Sequence, residues 1–132
     1  MSYSPSYWYA VFSGVFLLLQ GVSTLAARTI PAVDGAFPAL LATTQMVAQH
    51  SVLHILTALS SFAAIIAGAR AVRWFALGFG LFYTALGVTG WISGSQLCLG
   101  LKSFDHPFHI VLGALGVFAF LVRQPVVARS KR

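Results

Sequence analysis

The sequence is nearly without acid: its only carboxylate side chains are Asp34 and Asp105, against eight lysines and arginines. That excludes the paired carboxylates of general acid–base work and the ordinary carboxylate relay that moves protons through a membrane. Cysteine is reduced to Cys98, so no intrachain disulfide is possible and the redox compartment cannot be read from cysteine usage. Charge of either sign is scarce. Only 8% of the 132 residues are charged, where a soluble domain carries about 25%. A globule of this size cannot clothe its surface with so few charges, so most of that surface is expected to face lipid. No nucleophile–base–acid arrangement and no phosphate-binding glycine loop occurs, and no enzyme activity is expected.

What the chain has in quantity is apolar residues, 58% of the total. They fall into four runs that predict helices at about 8–27, 51–69, 72–93 and 107–123. A helix needs roughly 20 such residues to cross the hydrocarbon core. The runs lack the period-two alternation of barrel strands. Backbone groups in lipid must be satisfied internally, which leaves helix as the available form. The expected fold is therefore an all-α integral membrane domain of four transmembrane helices, with outer connections at 28–50 and 94–106. The stretch from Ala39 to Ala48 reads as an interfacial helix or an extension of helix two. Met1 to Tyr7 has no Lys or Arg, and the run from Trp8 to Ala27 exceeds a usual signal-peptide core, so helix one is expected to be retained. Small residues supply packing surfaces: Gly90 and Gly94 as a GxxxG step, Gly78, Gly80 and Gly87 in helix three, Gly113 and Gly116 in helix four. Ser60, Ser61 and Thr84 are expected to bond carbonyls of their own helices.

The net charge of +6 does not point to nucleic acid, because the basic residues sit at the ends of apolar runs rather than on one recognition element. Arg70, Arg73, Arg123, Arg129, Lys131 and Arg132 fall on the side of the termini, and Arg28 and Lys102 on the other. The positive-inside rule then places both termini in the cytoplasm, with membrane lipids as partners. Trp8 and Trp74 fall near the inner interface and Trp91 near the outer.

Two halves of the chain look alike. His54-Ile55-Leu56 begins helix two much as His109-Ile110-Val111-Leu112 begins helix four. Two such helix pairs predict a pseudo-repeat about an axis along the membrane normal. All four histidines fall in two pairs, His50/His54 and His106/His109, each on one helical face. If helices two and four are neighbours, four imidazoles converge at one depth near the outer side. Imidazole ligates zinc, copper and iron, and two histidines can hold a haem. The same residues also suit a structural polar cluster of His54, His109, Asp105 and Gln20, with Asp105 as an N-cap ahead of Pro107.

At these segments the chain resembles a family of small bacterial four-helix membrane proteins known only as a domain of unknown function. Its members carry a polar residue, a short gap and then His-Leu, once in each half. Asp105-His106-Pro107-Phe108-His109 is similar to the second copy and His50-Ser51-Val52-Leu53-His54 to the first. The matched histidines are His54 and His109. The family tends to have Asp or Asn at the position of His50 and Asn at that of His106, so the resemblance implies no four-histidine site. A looser likeness to the DoxX group lies in size and topology.

Three functions follow as expectations. The first is a non-catalytic accessory subunit that packs in a larger membrane complex, respiratory or photosynthetic, or in a homo-oligomer. It needs no cofactor, and His54 and His109 lock its halves together. The second is a membrane protein binding metal or haem through His50, His54, His106 and His109. The third is a small transporter, set back by a membrane centre poor in polar side chains.

Overall fold

The computed structural model describes residues 4–94 and 97–122, and among these every regular element is a helix. Four of the basic residues expected on the side of the termini, Arg123, Arg129, Lys131 and Arg132, lie outside them. Helix α1 spans Pro5–Thr29. Ser4 caps it by accepting the Tyr7 N–H at 3.0 Å, and Pro5 takes the first position, where no backbone donor is missed. This cap places the start ahead of the expected Trp8. Pro31 cannot continue the helix and opens α2 (Pro31–Ala36), and Pro38 opens α3 (Pro38–Thr44) in the same way. The long connection is thus two short helices, and neither is an extension of α4. Arg28 ties their far end back by donating from Nε to the Met46 carbonyl.

Helix α4 (Ala48–Ala67) and helix α5 (Ala69–Ser93) are joined by Gly68 alone, whose φ of +102° suits only glycine. Helix α6 runs Asp105–Leu121. It begins and ends earlier than the expected 107–123. Three helices, α1, α4 and α5, are long and apolar enough to cross a membrane. The fourth, α6, is apolar but has 17 residues, a length of about 26 Å.

The helices associate in two pairs, α1 along α4 and α5 along α6, with sparser contact between the pairs. Leu17, Ala58, Phe79 and Tyr83 form the apolar centre where the pairs meet. Apart from Val72, Met46 and Leu101, most of the remaining interior is small or polar: Ser6, Ser13, Thr24, Ser51, Ser61 and the histidines are buried. The large apolar side chains point outward instead, Ile66 being 87% exposed and Ile92 81%. A soluble protein sorts its side chains the other way.

Both pairs interlock at glycine notches, and in the same register. A Cβ on Gly21 would stand 2.7 Å from the Ser51 carbonyl oxygen and 2.9 Å from Ile55 Cγ1. A Cβ on Gly87 would stand 2.6 Å from the His106 carbonyl oxygen and 2.7 Å from Ile110 Cγ1. Further along, Gly14 faces Ser61 and Phe62, and Gly80 faces Gly116 and Val117. Each step from α1 to α5 is 66 residues, and each step from α4 to α6 is 55. The expected packing role of glycine holds at Gly80, Gly87, Gly90, Gly113 and Gly116, but not at Gly78 or Gly94, which meet nothing. Gly94 instead ends α5 with φ +60°. Ser60 bonds its own helix at Leu56, as expected. Ser61 instead reaches across to the Ala10 carbonyl at 2.6 Å, because α1 comes so close there, and Thr84 Oγ1 has no hydrogen-bond partner.

Candidate metal centre

At the end of the bundle that carries α2 and α3, three of the four histidines meet. His50 and His54 stand on successive turns of α4, and His109 projects from the second turn of α6. Ring centroids are 4.5 Å apart for His50 and His54, 5.5 Å for His50 and His109, and 6.3 Å for His54 and His109. One nitrogen from each ring falls within 4.8 Å of the other two. All three residues are buried, with 1% exposure or less. Tyr83 of α5 closes one side, its ring 5.0 Å from that of His109.

The six ring nitrogens of the trio have no hydrogen-bond partner. Burying one polar group unpaired costs on the order of 1–3 kcal/mol, and buried polar groups in folded proteins are nearly always bonded. A set of unpaired imidazoles turned toward one point is chemically what a cation ligand set is before its ion arrives.

His106 does not join them. Its ring lies over Gly90 on α5, and it lines a cavity of about 440 Å³ with Trp91, Leu101, Lys102 and Ser103. Three residues along a helix turn a side chain by about 300°, four by about 400°, and here the difference separates His106 from the face that His109 shows to α4. The expected convergence of four imidazoles is thereby corrected to three.

Asp105 and Gln20 lie beside the trio rather than in it. Both line a second polar cavity, of about 550 Å³, with Thr43, Thr44, Gln45 and Lys102. Asp105 is the first helical residue of α6 and not its N-cap. Its Oδ2 accepts the Lys102 N–H at 2.7 Å, a bond back into the preceding turn. Gln20 keeps a buried Oε1 without a partner. Cys98 is exposed and takes no place among the donors.

The chain matches no protein family, no curated protein and no solved structure. What the site can do must be read from its own geometry.

Proposed function

We propose that this chain is a metal-binding integral membrane protein that holds one divalent first-row ion through His50, His54 and His109. The observation that carries this is the buried trio itself, with donor atoms within 4.8 Å of one another and all ring nitrogens unpaired. A tetrahedral ion with bonds of about 2.0–2.1 Å needs donors about 3.4 Å apart, so small ring rotations close the site. Imidazole donors without thiolate suit Zn²⁺, Cu²⁺, Fe²⁺ or Ni²⁺ better than Cu⁺.

Membrane residence is supported by the inverted sorting of side chains, polar and small within, large and apolar without. In this reading α6 is the fourth span, and the shared register of the two pairs is an internal repeat about an axis along the membrane normal. Arg70 and Arg73 mark the cytoplasmic end, and the histidines lie at the opposite end.

The accessory-subunit reading asks His54 and His109 to lock the halves together; their rings meet, 6.3 Å between centroids, but neither makes a hydrogen bond. Its remaining support is the apolar exterior, for which lipid alone is sufficient. Haem gains less support than a single ion, because neither polar cavity beside the trio is lined by any of its three rings.

Elemental analysis of protein purified in detergent and equilibrated with Zn²⁺ tests the proposal. About one ion per chain is expected for the wild type, and none for His54→Ala or His109→Ala of unchanged helicity. A wild type that retains no Zn²⁺, Cu²⁺, Fe²⁺ or Ni²⁺ overturns it.

A further inference from the structure

The register of the two helix pairs assigns the trio a fourth member. The 55-residue step that carries Ser51 onto His106 and Ile55 onto Ile110 in the glycine notches also carries His54 onto His109. Applied to His50, it arrives at Asp105. The site is therefore built from two equivalent pairs at i and i+4, His50/His54 on α4 and Asp105/His109 on α6. That spacing sets both members of a pair on one face of a helix, one above the other, and two helical ligands at i and i+4 are a recurrent way to hold an ion.

We propose that Asp105 is the fourth ligand of the ion held by His50, His54 and His109, giving an N₃O site; this rests on the metal reading above. In the structure the carboxylate stands outside the 4.8 Å triangle, with Oδ2 bonded to the Lys102 N–H. Ligation asks it to swing from the cavity wall toward the three rings.

Electrostatics favours that swing. Three neutral imidazoles around a divalent ion leave two full charges buried among apolar helices, where an uncompensated charge is costly. A carboxylate ligand halves the net charge. Among the described residues only Asp34 and Asp105 are acidic, and Asp34 lies on α2, outside the donor group. Asp105 lines a cavity with Gln20, Gln45 and Lys102, so the carboxylate has open space in which to move.

Co²⁺ titration followed by visible absorption distinguishes ligation from a structural role. The proteins are the wild type, Asp105→Asn and Asp105→His, each purified as the full chain in detergent. An Asn side chain still accepts the Lys102 N–H, so a purely structural Asp105 leaves affinity and spectrum unchanged. As a ligand, its loss weakens Co²⁺ binding by at least the roughly 10- to 100-fold typical of removing an outer-shell partner, and shifts the ligand-field bands, which a change outside the coordination sphere leaves in place. Asp105→His, which repeats the residue at the equivalent position 50, restores affinity with an N₄ spectrum. Wild-type affinity and spectrum in Asp105→Asn overturn the inference and leave the histidine site standing. A wild type that binds none of Co²⁺, Zn²⁺, Cu²⁺, Fe²⁺ and Ni²⁺ overturns both. Should Asp105→Asn be less stable without metal, Asp105→His decides: an altered Co²⁺ spectrum supports ligation, and one identical to wild type refutes it.

Discussion

At Ser61 the α1–α4 pair places a hydroxyl that bonds across to the Ala10 carbonyl at 2.6 Å. At the matching point of the α5–α6 pair stands Gly116, where a Cβ would meet the Ala76 carbonyl at 2.8 Å and the Tyr9 hydroxyl at 2.7 Å. The same exchange recurs a few turns away. Thr24 and Ser51 share a hydrogen bond of 2.8 Å in the first pair, and Gly90 lies under His106 in the second. One pair is held by interhelical hydroxyl bonds, the other by backbone brought close enough that no side chain fits. Either device works where apolar burial cannot drive helices together. The two pairs thus keep one register with different chemistry, and the places where they differ are where each is most easily broken.

The largest effect is expected at a notch walled by backbone. Gly87→Val sets atoms against the His106 carbonyl oxygen and the Ile110 backbone nitrogen, where nothing flexible can yield. A loss above about 3 kcal/mol is expected, measured by SDS-induced unfolding in mixed micelles. The equivalent Gly21→Val should cost a similar amount, and a large gap between the two would undo the claim of a common register.

Exchanging the two devices is the sharper test. Gly116→Ser brings the first pair's residue into the second, but Tyr9 already fills the space, with its hydroxyl donating to the Leu112 carbonyl at 2.8 Å. A cost of about 1–3 kcal/mol is expected by the same assay. The reverse change, Ser61→Gly, removes one buried interhelical bond and should cost about 0.6–1.7 kcal/mol. If Ser61→Gly proves the more harmful, hydroxyl bonding outweighs close approach in this bundle.

The smallest effect is expected at Gly78, on the same helix as Gly87 but facing open space. Gly78→Ala should raise the midpoint slightly, by up to about 1 kcal/mol, through the helix preference of alanine. A loss there would place an unrecognised contact on the outer face of α5.

Much of this arrangement was open to a reader of the sequence, though unevenly. The apolar runs announce the helices, because hydropathy averages over many residues. Their ends were missed, since ends are set by single residues such as Ser4 and Asp105 that averaging hides. His50 and His54 were legible as neighbours on one face. His106 was grouped with His109 because spacings of three and four both count as one face, and only the approach of α5 at Gly90 decides between them. The pairing of His50 with Asp105 is legible as two copies of one short motif, but its place in a common register is not, because that register is marked by glycine contacts between helices.

The inverted sorting of side chains has a consequence for how this chain tolerates change. In most proteins harm comes from trimming a large buried group, which leaves a void. Here the inner seams are already lined by glycine, serine and alanine, so little remains to trim, and harm comes from growth. A saturation scan should show intolerance rising with side-chain volume at Gly21, Gly80, Gly87 and Gly113. Along the outward faces at Phe12, Leu19, Ile66 and Phe118 it should be indifferent to size and sensitive only to charge.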